Sequence, residues 1–401
     1  MRLMLIHNHY KKPGGEDVVV QAEGELLRKY GHTIDLFEAD NAEIVGLARK
    51  VRASVGTIYS PGAKTSVAVR IAAFQPDVVH VHNFFPLLSP SIYYACREAG
   101  VPVVQTLHNY RLICPNAQLL RDGRVCEDCV GKNVPWPGVL HACYRGSRVG
   151  SAAVATMLAT HRFLGTWENV VDAFIALTDF SRDKLVQGGL PAEKIAVKPN
   201  FVADSSPGDG RGGFALFVGR LSQEKGIELL LAAWKRSRPA APLKVVGDGP
   251  LAGRVADLAR DCGAECMGHL PGARVRQLMG QASFLIVPSL CYENFPMAIA
   301  EAFAAGLPVV AAGHGGMASL VEHGRTGLHF RPGDAEDLAA KIEWAAGHPE
   351  EMARMRGEAR AEYLAKYTPE RNYQMLMEIY DRVTGGKVSA RAGVPAAGIA
   401  R

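Results

Sequence analysis

No apolar run in this chain approaches the roughly 20 residues a membrane-spanning helix needs, so any membrane contact is expected to be peripheral. Met1–His7 reads as a short strand and lacks the apolar stretch and small-residue cleavage site of a secretory leader, which makes the cytosol the expected compartment. No Gly-x-Gly-x-x-Gly follows the first strand, where the dinucleotide fingerprint belongs, which disfavours a dehydrogenase. No short-period repeat occurs, which excludes a solenoid. Excess charge is also scarce: Lys+Arg 45 against Asp+Glu 40 leaves +5, too weak a bias for a nucleic-acid binder.

What is present is the composition of a globular protein. With 48% hydrophobic and 21% charged residues, the chain is not intrinsically disordered. At 401 residues it is long enough for two domains of near-equal size.

Short apolar segments alternate with amphipathic ones through the first half: Met1–Ile6, Ile34–Phe37, Val78–Val81, Val101–Leu107, Ile175–Leu177 and Ile195–Val197 read as strands. The pattern stops near Asn200, and Asp204–Gly213 reads as a linker. Alternation then resumes, with strands at Phe214–Val218, Leu243–Val246, Phe284–Val287 and Val309–Ala312 and helices between them. Strands separated by helices imply parallel, doubly wound sheets, so an α/β protein of two Rossmann-like domains is expected. The expected boundaries are 1–200, 201–367, a helix at 368–383 crossing back to the first domain, and a disordered tail at 384–401.

Three loops carry candidate chemistry. Gly14-Gly15 lies between the first strand and the first helix, where glycines let a backbone approach an anion at a helix N-terminus, although a double glycine is often only a turn. Arg220 and Lys225 lie in the loop after the first strand of the second domain and could both turn to one diphosphate, or could be solvated surface cations. The third loop runs Glu293-Asn294-Phe295-Pro296-Met297-Ala298-Ile299-Ala300-Glu301. Pro296 is placed for a first helical turn, so a free helix N-terminus would lie between two carboxylates. The bland alternative is an ordinary acidic first turn.

Together these residues resemble retaining glycosyltransferase family 4, of the GT-B fold. Gly14-Gly15, Arg220/Lys225, Gly247-Asp248-Gly249-Pro250, the Glu-x7-Glu pair Glu293/Glu301 and Gly306-Leu307-Pro308-Val309-Val310 carry the resemblance, which covers roughly residues 1 to 383. It implies two Rossmann-like domains facing a cleft and transfer of a hexose-type sugar from a nucleotide-diphosphate sugar to a saccharide or lipid-linked acceptor.

The same resemblance implies roles. Gly15 would offer its amide to the donor phosphates, and Arg220 and Lys225 would neutralise the leaving diphosphate. Glu293 would bind the hexose and Glu301 the ribose. Asn294, Phe295, Met297 and Ala298 would line the pocket together with Pro296, which has no amide to give. Gly268-His269-Leu270 would flank the base. His108 falls where such enzymes place a histidine near the sugar, although a satisfied strand-end histidine is the plain alternative. The residues assigned to catalysis on this basis are Glu293, His108, Arg220 and Lys225. No Asp-x-Asp loop stands out, so no catalytic metal is expected. The chain departs from the family at Ser319, where a Glu is common, and at Pro296, where Gly is frequent.

Four of the eight cysteines cluster: Cys114, Cys126, Cys129 and Cys143. A Cys-x2-Cys pair with two flanking cysteines has the arithmetic of a structural zinc site, with disulfides or unlinked thiols as alternatives. The aperiodic 114–148 loop around them needs an anchor and is expected to shape the acceptor side of the cleft. Two stretches free of acids, Ile44–Gln75 with Arg49, Lys50, Arg52, Lys64 and Arg70, and Val130–Trp167 with Lys132, Arg145, Arg148 and Arg162, could meet anionic lipid or a charged acceptor, or be plain solvated faces. A nucleotide-sugar epimerase and a non-catalytic nucleotide-sugar-binding scaffold are the alternatives to a transferase. A phosphorylase would want a pyridoxal lysine, which nothing marks.

Overall fold

The computed structural model describes residues 1–11 and 14–386, with the side chains at 43, 47, 48 and 50–52 left out. Its first sheet holds β1 (Arg2–His9), β2 (Thr33–Asp40), β3 (Val78–Asn83), β4 (Val103–Thr106), β7 (Ala173–Ala176) and β8 (Ile195–Val197). A small antiparallel hairpin, β5 (Leu120–Arg121) with β6 (Arg124–Val125), interrupts the series. The second sheet holds β9 (Ala215–Val218), β10 (Leu243–Val246), β11 (Glu265–Gly268), β12 (Phe284–Val287), β13 (Val309–Ala312) and β14 (Gly327–Phe330).

Strands run in the order β2-β1-β3-β4-β7-β8 in one sheet and β11-β10-β9-β12-β13-β14 in the other. Every pairing within these two sheets is parallel, as the alternation implies. Central strands such as Phe284-Leu285-Ile286-Val287 are apolar throughout because helices cover both faces. Burying each such side chain is worth about 1.5–3 kcal/mol, which is where the order of each domain comes from.

Three boundaries differ from expectation. Asp204–Gly213 is a strap rather than a free linker: Gly208 N–H donates to Ala305 O at 3.0 Å, Gly210 N–H to Gly280 O at 3.0 Å and Gly212 N–H to Gln281 O at 2.9 Å. Pro296 precedes its helix, which begins at Met297. The last helix, Pro369–Thr384, ends one residue later than read, and Gly385-Gly386 follow as a turn, while 387–401 of the expected tail lie outside the described residues.

That last helix does return to the first domain. Leu376, Ile379 and Tyr380 are buried against Leu3, Leu5, Val78 and Val104, and the Tyr380 hydroxyl lies 2.7 Å from His80 Nδ1. The chain crosses between domains at two adjoining places, where Val202 N–H donates to Tyr367 O at 3.2 Å and Asn372 Nδ2 to Pro199 O at 2.7 Å.

Candidate active site

Each sheet reverses its strand order once, between β1 and β3 and between β9 and β12. Open α/β sheets bind ligands at the carboxyl ends of strands flanking such a reversal. Gly14-Gly15 follows β1, the Arg220–Lys225 loop follows β9, and the Glu293 segment follows β12. These ends face one another: a Cβ added at Gly15 would lie 3.6 Å from Met297 Cγ. Helices Gly15–Lys29 and Met297–Ala304 therefore point their positive ends into the same cleft, and no side chain caps the first amides of the second.

Lys225 Nζ stands 2.5 Å from Glu293 Oε1, and Ser289 Oγ donates to the same oxygen at 2.7 Å. Burial alone would push the Glu293 carboxyl up, but the Lys225 charge and the Ser289 bond outweigh it, so it sits below its ordinary range. Lys225 is desolvated too, and Glu293 more than compensates, so the ammonium is held charged. Gly316 N–H fixes the Glu293 carbonyl at 2.8 Å, and a Cβ on Gly316 would strike that oxygen at 2.4 Å, which explains the glycine there. His314 Nε2 lies 3.0 Å from Ser289 O, and burial lowers its pKa.

Arg220 is exposed at the mouth of the same loop. Glu301 lies one turn into its helix, where burial pushes its carboxyl up against the opposing charge of Arg276. Phe295 and Pro296 are buried, and Ala298 is half-buried at the helix start. Gly268, His269 and Leu270 sit at the carboxyl end of edge strand β11, where Gly247 N–H donates to Gly268 O at 2.8 Å.

Asn294 joins the two domains: its Nδ2 donates to Leu107 O at 2.7 Å, directly before His108, and its Oδ1 is buried without a protein partner. His108 Nε2 lies 3.0 Å from His82 Nδ1. Burial, with His82 and His7 beside it, drives the His108 pKa well below its ordinary value, so the ring is neutral.

Several site residues escaped the sequence reading. Asp17 holds the glycine turn through Gly14 N–H at 2.6 Å and meets His7 Nε2 at 2.9 Å and His9 Nδ1 at 2.8 Å. Glu16, one residue after Gly15, has its carboxyl raised to about 8 by burial and by Asp17, against Arg111, Asn109 and Asn83. Behind the cleft, Glu23 Oε1 lies 3.2 Å from both His80 Nδ1 and His82 Nε2, while Glu23 Oε2 takes a 3.0 Å bond from Lys198. The only available signal was the density of histidines in β1 and β3.

The 114–148 loop brings its four cysteines to the lining of one small cavity. Among the described residues, the trios whose ligand atoms already lie within 4.8 Å of one another are His7/His9/Asp17 and Glu23/His80/His82, not the sulfurs. In the first basic stretch Lys64 pairs with Glu98 at 2.6 Å and Arg70 with Asp35 at 2.5 Å, and the Lys50 and Arg52 side chains lie outside the description. In the second stretch Arg162 is spent on the carbonyls of Lys132 and Gly188, whereas Lys132, Arg145 and Arg148 are exposed.

The architecture is that of the GT-B class. Solved structures agree: an Anabaena protein, HepE, crystallised with UDP, superposes with a TM-score of 0.68 at 20% identity, covering 95% of this chain and 100% of that one. Residues 13–205 match the model of Glycosyltransferase Family 4, and residues 203–362 that of Glycosyl transferases group 1. The two models together span residues 13–362, so the chain is similar to glycosyltransferases of the family 4, GT-B type. Glycogen synthase of Mycobacterium tuberculosis is 28% identical over 80% of this chain and 81% of its own length. Sulfoquinovosyl transferase SQD2 of Arabidopsis thaliana is 32% identical over 40% of this chain and 32% of its own. Over the relatives of higher identity, the chain spans less than half of their length.

Proposed function

We propose that this protein moves a hexose-type sugar from a nucleotide-diphosphate sugar to a saccharide or lipid-linked acceptor, with retention of anomeric configuration. The observation that carries the reading is the Lys225–Glu293 pair, 2.5 Å apart, beside the uncapped N-terminus of the Met297–Ala304 helix. The UDP bound in HepE supports a nucleotide donor.

The chemistry follows from charge. The bond from the anomeric carbon to the diphosphate breaks with its electron pair going to the diphosphate, and positive character builds on the sugar. Lys225, Arg220 and the amides of Met297 and Ala298 meet the negative charge where it grows, in a cleft where such contacts count for more than in water. These groups perform the neutralisation that a divalent ion performs elsewhere, so we take catalysis to need no metal. Glu293 orients the hexose through its hydroxyls, and Glu301 takes the ribose. The acceptor oxygen forms the new bond on the face the diphosphate leaves, and its proton passes to the departing phosphate oxygen. Neutral His108 sits beside the sugar as a hydrogen-bonding group without adding positive charge there.

Trp136, Leu140 and Phe163 are exposed on the first domain, Phe163 at 90%, with Lys132, Arg145 and Arg148 near them in the sequence. Apolar tips with cations suit a peripheral seat on anionic lipid at the cytosolic membrane face. Co-sedimentation with anionic but not neutral vesicles is the expected result, and equal recovery with both would remove this part of the proposal.

The central test is a thermal-shift panel of UDP-, GDP-, ADP- and dTDP-sugars. A donor at ~100 times its dissociation constant stabilises the fold by about 2.7 kcal/mol. One nucleotide class should shift the wild type, and Arg220→Ala or Glu301→Ala should abolish the shift. Transfer with an acceptor, followed by the anomeric coupling in the product's NMR spectrum, tests retention. Turnover of donor alone to an epimer would replace the transferase by an epimerase, and no shift with any sugar nucleotide would favour a scaffold.

A further inference from the structure

The 35 residues from Cys114 to Arg148 carry little regular structure of their own before the next helix starts: two strands of two residues and one five-residue helix. So long a loop needs a cross-link to hold one conformation. Cys114, Cys126, Cys129 and Cys143 all line a single cavity of about 10 Å³, room for one water molecule or one ion. All four are free thiols, contributed by the loop's start, its Cys-x2-Cys turn and its end.

We propose that these four cysteines bind one structural zinc ion per chain. Four thiolates complete a tetrahedron with Zn–S bonds of about 2.3 Å and leave no open position, so the ion organises the loop and does no chemistry. As thiols the sulfurs spend their protons locally: Cys114 Sγ donates to Asn116 Oδ1 at 3.0 Å and Cys129 Sγ to Pro135 O at 3.8 Å. Zinc takes the place of those protons, releasing them to solvent, and draws the sulfurs together by side-chain rotation. The amides of Leu119 and Asn116 donate to Cys114 Sγ, and Arg121 lines the same cavity. Four cysteines lining one ion-sized space suit a single metal, whereas disulfides need only pairs.

The position gives the ion a consequence. Glu127, inside the Cys-x2-Cys turn, takes a 2.9 Å bond from Lys184 and another from the Tyr292 hydroxyl, next to Glu293. At the hairpin tip, a Cβ on Gly123 would come within 3.5 Å of Gln223 Nε2, between Arg220 and Lys225. The loop therefore also reaches the second domain beside Glu293 and the Arg220–Lys225 loop.

The test is the metal content of the full chain, purified without chelator and measured by mass spectrometry, with thiols counted after denaturation in chelator. The expected result is one zinc per chain and eight thiols. Cys126→Ser/Cys129→Ser should lose the zinc, and Cys262→Ser, outside the cluster, should keep it. If the double variant fails to fold, exchange of cobalt into the wild type should produce thiolate-to-cobalt charge-transfer absorption. Absence of zinc with eight free thiols, fewer thiols from disulfides, or iron in its place would each overturn the assignment. None of these readouts depends on transferase activity.

Discussion

Asn294 Nδ2 donates a 2.7 Å hydrogen bond to the Leu107 carbonyl, and so ties the residue after Glu293 to the residue before His108. The two candidate sugar-binding groups, one from each domain, are thereby held in register, with Thr178 Oγ1 donating to Asn294 O at 3.4 Å beside this bond. Replacing Asn294 with Ala should cost about 0.5–1.5 kcal/mol of stability, plus the exposure of an unpaired carbonyl. It should reduce kcat more than it changes donor affinity. Parallel melting curves and steady-state kinetics would check this, and an unchanged kcat would show that closure does not depend on the bond.

Lys225→Ala and Glu293→Gln should each lower kcat by about 100- to 1000-fold, the size seen when one preorganised stabilising group is removed. The fold should persist, because the pair sits at the cleft rather than in either core. Single-turnover transfer rates, with circular dichroism as a folding control, would measure it. If Glu293→Gln retains full rate, its carboxylate charge plays no part in transfer.

Glu16 gives a pH prediction. Burial and the neighbouring Asp17 raise its carboxyl to about 8, against 4.5 for an ordinary Glu. A carboxyl with a raised folded pKa supports the fold fully below pH ~4.5, where both states hold the proton, and loses that support as pH climbs through about 8. Wild-type melting temperature should therefore fall between about pH 5 and 8, and Glu16→Gln should flatten that decline. Equal slopes for the two proteins would show that Glu16 does not titrate in this window.

Glu23 behaves in the opposite sense. Burial opposes its ionisation, but Lys198 and His80 prevail and hold the carboxyl well below its ordinary range. Its contribution is present above the unfolded value and is lost as pH falls through the folded one. Glu23→Gln leaves Lys198 buried without its charge partner and should cost about 3–5 kcal/mol, read as a denaturant midpoint. A cost below about 1 kcal/mol would mean that Lys198 finds another partner.

Much of this was legible in the sequence, for specific reasons. Phe284–Val287 and Val309–Ala312 are short and wholly apolar, so they announce buried parallel strands. Gly14-Gly15, Arg220/Lys225 and Glu293 each follow a strand, at the carboxyl end where such sheets hold ligands. Edge strand β11, Glu265-Cys266-Met267-Gly268, was unreadable because it is mostly exposed and has no apolar run. The Glu23–His80–His82–Lys198 cluster was unreadable for another reason: its members come from three places, with Glu23 and Lys198 separated by 175 residues. Local pattern cannot show that a helix, a strand and a crossing segment meet at one buried charge.

The Pro369–Thr384 helix has a consequence for how the molecule is made. Tyr380, Leu376 and Ile379 complete the core beneath β1, which lies far upstream of them in the chain. The domain synthesised first is therefore finished last, after the whole second domain has been translated. Until then Leu3, Leu5, Val78 and Val104 lack their cover and present a greasy groove to chaperones. Loss of this helix would uncover the first domain, not the second that precedes it.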